Sequence, residues 1–64
     1  MTILIEGMHS PACEQRVRTA LQAIAGLQVR EVRLGAAVVD GDDEQLAAAL
    51  SAIGAAGYQP HIAA

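Results

Sequence analysis

Residues 2 to 13 read Thr2-Ile3-Leu4-Ile5-Glu6-Gly7-Met8-His9-Ser10-Pro11-Ala12-Cys13. The segment changes from strand to helix within a short loop. Thr2 to Glu6 is β-branched and apolar and is bounded by Gly7, which predicts a buried central strand. Ser10 and Pro11 predict a helix start. Serine is a preferred N-cap, contributing ~1 kcal/mol, and proline loses nothing at the first helical position because its N–H would have no intrahelical partner there.

Downstream, Cys13, Val17, Leu21 and Ile24 recur at spacings of four, four and three, which is one face of a helix. Gly26 suits the left-handed residue that closes it, with Leu27 folding back on the last turn. Leu27 to Leu34 predicts a second strand anchored by Val29, Val32 and Leu34. The slip in spacing between Val29 and Val32 implies a bulge. Gly35-Ala36 suits a two-residue hairpin turn, and Ala37-Val38-Val39 returns as the third strand. Asp42 with Gln45 three residues on forms a capping box, and Asp43 and Glu44 complement the positive end of a second helix. Leu46, Leu50 and Ile53 form its apolar stripe, Gly57 ends it, and Tyr58 to Ile62 is a short last strand. Pro60 places that strand at a sheet edge. The order β-α-β-β-α-β is an α+β, ferredoxin-like pattern: a four-stranded antiparallel sheet with both helices on one face. Right-handed crossovers put strands one and three in the centre. The first loop, the first helix's N-terminus and Tyr58 then meet at one end of the sheet.

Residues 1–64 make one small domain, and at this length roughly 60% of the chain's surface can be buried. Tyr58 is the single aromatic residue, so the core is aliphatic. Net charge is −3; the four arginines lie between Arg16 and Arg33, and the later charges are all acidic. An acidic balance without a basic stripe or aromatic platform excludes a nucleic-acid binder. No apolar run approaches the ~20 residues of a bilayer span, and no basic segment leads a long apolar run, so neither membrane insertion nor a secretory leader is expected. One cysteine rules out an internal disulfide and fits a reducing compartment, so a cytoplasmic location is expected.

Several residues carry two readings each. Cys13 lies in the first helical turn, where unpaired N–H groups favour thiolate and so metal ligation; it could equally top the Val17-Leu21-Ile24 face as a small hydrophobe. Ser10 is an N-cap before it is a ligand. His9 could complete a His–Cys pair for copper or zinc, or stand as a solvated loop histidine. Met8 follows an apolar strand and reads as core filler rather than a thioether ligand. Tyr58 shields the thiol or simply closes the core edge. His61 is an exposed strand-end histidine with a minor claim to a site shared between molecules. The run Asp40 to Glu44 lacks the spacing of a calcium loop and reads as a helix start in solvent.

Gly7-Met8-His9-Ser10-Pro11-Ala12-Cys13 followed by Val17 resembles the heavy-metal-associated domain family, whose motif is Gly-Met-x-Cys-x-x-Cys with an apolar residue four positions on. The Leu21…Gly26-Leu27 helix exit and the Ala52-Ile53…Ala56-Gly57-Tyr58 ending match as well, so the resemblance spans nearly the whole chain. It implies the ferredoxin-like fold, a non-enzymatic role, and Cu(I) held by thiolates. The second ligand position carries over to Cys13. The first falls on Ser10, whose hard hydroxyl is a poor ligand for soft Cu(I), so two-thiolate binding within one chain is not available. The resemblance also keeps Met8 beneath the loop.

These readings converge on a domain that binds and traffics a soft metal, Cu(I) first, with silver, zinc and mercury as alternatives. Cys13 is one ligand. The other comes from His9, from a second copy in a metal-bridged homodimer, or from glutathione or a similar thiol. The expected partner is the metal-binding domain of a copper-transporting P-type ATPase, with Arg16 and Arg18 guiding an acidic surface. The competing reading is an interaction module of the same family that has lost its metal site. A single-cysteine redox enzyme is a third, disfavoured because no thioredoxin-like strand–helix pattern or facing cis-proline surrounds Ser10-x-x-Cys13.

Overall fold

A computed structural model describes residues 1–63. Six elements run β1 (Thr2–Glu6), α1 (Pro11–Gln22), β2 (Gln28–Arg33), β3 (Ala36–Asp40), α2 (Asp43–Ala55) and β4 (Gln59–Ile62). They form one antiparallel sheet in the order β2-β3-β1-β4. The expected β-α-β-β-α-β topology is therefore present, with β1 and β3 central and the Pro60 strand on an edge, where a missing backbone donor costs no ladder bond.

Alternation along β1 explains how the sheet meets its helices. Ile3 and Ile5 point into the core and are buried, while Leu4 and Glu6 face the open side. Ala37 and Val39 continue the buried layer on β3, and Val32 continues it on β2. Val17 and Leu21 from α1, with Leu46, Ala49 and Ile53 from α2, close over it. Ala49 and Ile53 are the fully buried members of the α2 stripe, and Leu50 only packs at its margin. A small residue at that position brings the helix close to its neighbours.

The bulge inferred from the Val29–Val32 spacing is present: the β2–β3 register shifts between Val29 and Glu31. Three local details differ from the sequence reading. The β2–β3 turn is Leu34-Gly35 rather than Gly35-Ala36, because Arg33 pairs with Ala36 and Gly35 carries the positive φ of +87°. Leu34, in that turn, is exposed rather than an anchor. Helix α1 ends at Gln22, not beside Gly26. Its last amides turn back within Thr19, Leu21 and Ile24, and Gly26, at φ +81°, serves the following turn, in which the Leu27 amide donates to the Ile24 carbonyl.

The α2 start has both halves of the expected capping box. The Asp42 carboxylate accepts from the Gln45 amide at 2.8 Å, and the Gln45 side-chain oxygen accepts from the Asp42 amide at 2.9 Å. The same Gln45 donates its side-chain N–H to the Ala25 carbonyl at 3.1 Å. One side chain thus caps α2 and ties the α1–β2 turn to it. Among the described residues no helix is long and apolar enough to cross a membrane.

Candidate metal site

Two backbone devices bring the site together. The first is the end of α2. Gly57, at φ +100°, donates to the Gly54 carbonyl at 3.0 Å, and the Tyr58 amide donates to the Ile53 carbonyl at 3.2 Å. This pair of bonds is the Schellman closure, which needs a left-handed residue that glycine supplies without strain. It turns the chain sharply so that Tyr58 packs in the core with Ile53. The second device is Gly7, also at φ +100°, whose missing side chain leaves the Tyr58 ring edge 3.4 Å from where a Cβ would stand. The loop before α1 and the residue after α2 therefore meet, as their motifs implied.

Cys13 sits in the first turn of α1, half-buried, packed on the core margin. Its own amide donates to the Ser10 carbonyl at 2.9 Å. The sulfur receives hydrogen bonds that favour its charged form. The Tyr58 side chain lowers its pKa most, followed by the His9 backbone, the Ser10 hydroxyl and the Ser10 backbone, against a partial opposition from burial. Together they lower the thiol from 9.0 to about 6, so it is mostly thiolate at neutral pH. Tyr58 responds in kind: the bond to Cys13, and then burial, hold its phenol proton more tightly than usual.

Ser10 departs from expectation. It occupies the N-cap with extended backbone, but its side chain makes no cap bond. Its hydroxyl instead donates to the Cys13 sulfur at 3.7 Å. Sulfur is a large, soft acceptor and tolerates that separation, whereas the helix's orphan amides are left to the Ser10 carbonyl and solvent. Serine here is a thiolate donor more than a cap.

His9 is exposed in the loop, and its link to Cys13 runs through its backbone. Met8 is buried in the core cluster, in keeping with its reading as filler. His61 is placed away from the loop: its Nε2 lies 2.9 Å from Glu6 Oε2 on the neighbouring strand, an exposed cross-strand pair. Among the described residues no three His, Cys, Asp or Glu side chains converge on one point. A soft cation would thus find one activated sulfur here, the ligand type such an ion prefers.

The sequence reading missed the neighbour on the far side of Tyr58. Arg16, one helical turn beyond Cys13, faces the Tyr58 side chain and partly offsets the rise in its pKa. The i, i+3 spacing from Cys13 was the available signal.

Comparison with known proteins agrees with this geometry. No curated protein gives a significant match. A solved structure, the crystal structure of the CopA C-terminal metal binding domain, is 37% identical, superposes with a TM-score of 0.76, and is matched over 92% of this chain and 81% of its own. Residues 2–59 match the heavy-metal-associated domain, and the chain belongs to that family.

Proposed function

We propose that this domain binds and transfers Cu(I), with Cys13 as its thiolate ligand and the second ligand supplied by His9, by another copy or by an external thiol. The observation that carries the reading is the hydrogen-bonded, half-exposed Cys13 sulfur at the start of α1. A thiolate that is charged at neutral pH and reachable from solvent is what a soft cation requires. Membership of the heavy-metal-associated family and likeness to a CopA metal-binding domain support copper and a role beside a copper-transporting P-type ATPase. The role is carriage rather than catalysis. One resident ligand leaves the ion open to an incoming thiolate, and ligand exchange then moves it without changing its oxidation state. Silver and mercury share the required softness, and zinc is a weaker fit.

The test is Cu(I) titration against a chelator of moderate affinity. The protein should compete, and Cys13→Ala should not. X-ray absorption on the loaded protein then identifies the second ligand. Two sulfurs indicate a bridged dimer or an external thiol, and one sulfur with one nitrogen indicates His9. Absence of competition by the unaltered chain would leave the interaction-module reading in its place.

A further inference from the structure

Glu6 and His61 lie on the face of the sheet turned away from the helices, where β1 meets the edge strand β4. Pairing across the strands fixes that face. Leu4 stands opposite His61 on β4 and opposite Ala36 on β3, so the Leu4 and His61 side chains leave the sheet on the same side. Glu6, two residues on from Leu4, shares that side. His61 Nε2 reaches diagonally to within 2.9 Å of Glu6 Oε2, and both side chains are more than half exposed. Among the described residues no arginine lies within 4.0 Å of the Glu6 carboxylate to compete for it. Leu4, beside the pair, is about half exposed.

That spacing is close to the one a single metal ion imposes on two of its ligands. Zinc bonds of about 2.0–2.2 Å at the tetrahedral angle hold neighbouring donor atoms about 3.3 Å apart. A small side-chain rotation separates the observed 2.9 Å from it. Imidazole nitrogen and carboxylate oxygen are borderline and hard donors, which suit zinc and not Cu(I). Two donors are half of a tetrahedral set, and no third His, Cys, Asp or Glu converges on them among the described residues.

We propose that Glu6 and His61 form half of a zinc site, completed by the same pair from a second copy, with the two open sheet faces meeting beside Leu4. The site is separate from the Cys13 thiol and does not rest on the Cu(I) reading. Two-fold symmetry supplies two imidazoles and two carboxylates, whose charges match that of the ion. Without the ion the same contact would set two carboxylates together in chains of net charge −3, so the dimer depends on the metal. Leu4 loses exposure to water at this contact, which favours a second copy over water as the source of the remaining ligands. Binding is ligand addition: the ring proton moves to Nδ1 as Nε2 takes the metal, and no electron changes hands.

The experiment adds zinc sulfate, at half an equivalent, to the untagged Cys13→Ala chain, in which the thiolate cannot compete. Ultracentrifugation reports the mass, calorimetry the stoichiometry and amide NMR the location. The mass should double at one zinc per two chains, Leu4, Glu6 and His61 should shift, and a chelator should restore the monomer. Glu6→Gln, which keeps a hydrogen-bond partner for His61 but is a poor ligand, should lose the doubling, and so should His61→Asn. A monomer at every zinc concentration, one zinc per chain, shifts confined to the His9 loop, or a doubling that survives either substitution would overturn the proposal. Each of these results would leave the Cu(I) reading of Cys13 intact.

Discussion

The Ser10 hydroxyl donates to the Cys13 sulfur across 3.7 Å and makes no bond to the amides of the helix it precedes. Removing it should therefore act on the thiol and not on the helix. Ser10→Ala should change stability by less than about 0.5 kcal/mol, below the ~1 kcal/mol of a lost N-cap. The same change should raise the Cys13 pKa and slow its alkylation at pH 6 to 7. Urea unfolding and iodoacetamide kinetics on one preparation separate the two effects, and a stability loss without a reactivity change would restore the capping interpretation.

Ser10→Cys places a second sulfur where that hydroxyl now meets Cys13. The two thiolates would then be held in one chain at an effective concentration in the millimolar range or above, which an external thiol at micromolar levels cannot match. Cu(I) affinity should become independent of added glutathione, and X-ray absorption should show two sulfurs in a monomer. Persistence of the thiol dependence in this variant would show that the loop geometry does not support chelation.

The architecture was legible because each element carried its own punctuation. Gly57-Tyr58 forecast both the end of α2 and the arrival of Tyr58 at the first loop, since a left-handed closure there leaves few directions for the chain. Asp42 and Gln45 forecast their reciprocal bonds for a similar reason: the partners are three residues apart and need no tertiary help. What remained hidden depended on distant partners or on competition between acceptors. The sequence offers Ser10 a helix amide and a sulfur, and only the placed Cys13 side chain shows which it takes. The end of α1 is hidden because Gly26 is a strong stop signal, yet Ile24 leaves the helix early and packs against the core. The approach of Arg16 to Tyr58 is hidden in the sequence because the two lie forty-two positions apart in the chain.

Gln45 joins three groups, so its removal should cost more than an exposed side chain usually does. It loses its half of the capping box with Asp42 and its bond to the Ala25 carbonyl. Gln45→Ala should destabilise by roughly 1–2 kcal/mol. Gln45→Glu keeps an acceptor for the Asp42 amide but cannot donate to Ala25, so its loss should be smaller. Denaturant midpoints of the two variants decide the matter: equal losses would mean that the bond to the Asp42 amide contributes nothing, and no loss in Gln45→Glu would mean the same of the Ala25 bond.

Cys13 also links the site to the pH dependence of folding. Its pKa is about 6 in the folded chain against an ordinary thiol value of 9.0. Between these two values the unfolded chain holds a proton that the native chain has released, so stability should rise with pH across that window. The contribution is complete above pH 9 and is lost as pH falls through 6. Cys13→Ala removes the linked group, so the difference in urea midpoint between the unaltered chain and this variant should grow in favour of the unaltered chain from pH 6 to pH 9. Tyr58→Phe keeps the ring against Gly7 but deletes the strongest donor to the sulfur, so the midpoint of thiol alkylation should move upward from about pH 6, and by more than in Ser10→Ala. An alkylation midpoint near 9 in the unaltered chain, or one that Tyr58→Phe leaves in place, would show that these donors do not hold the thiolate.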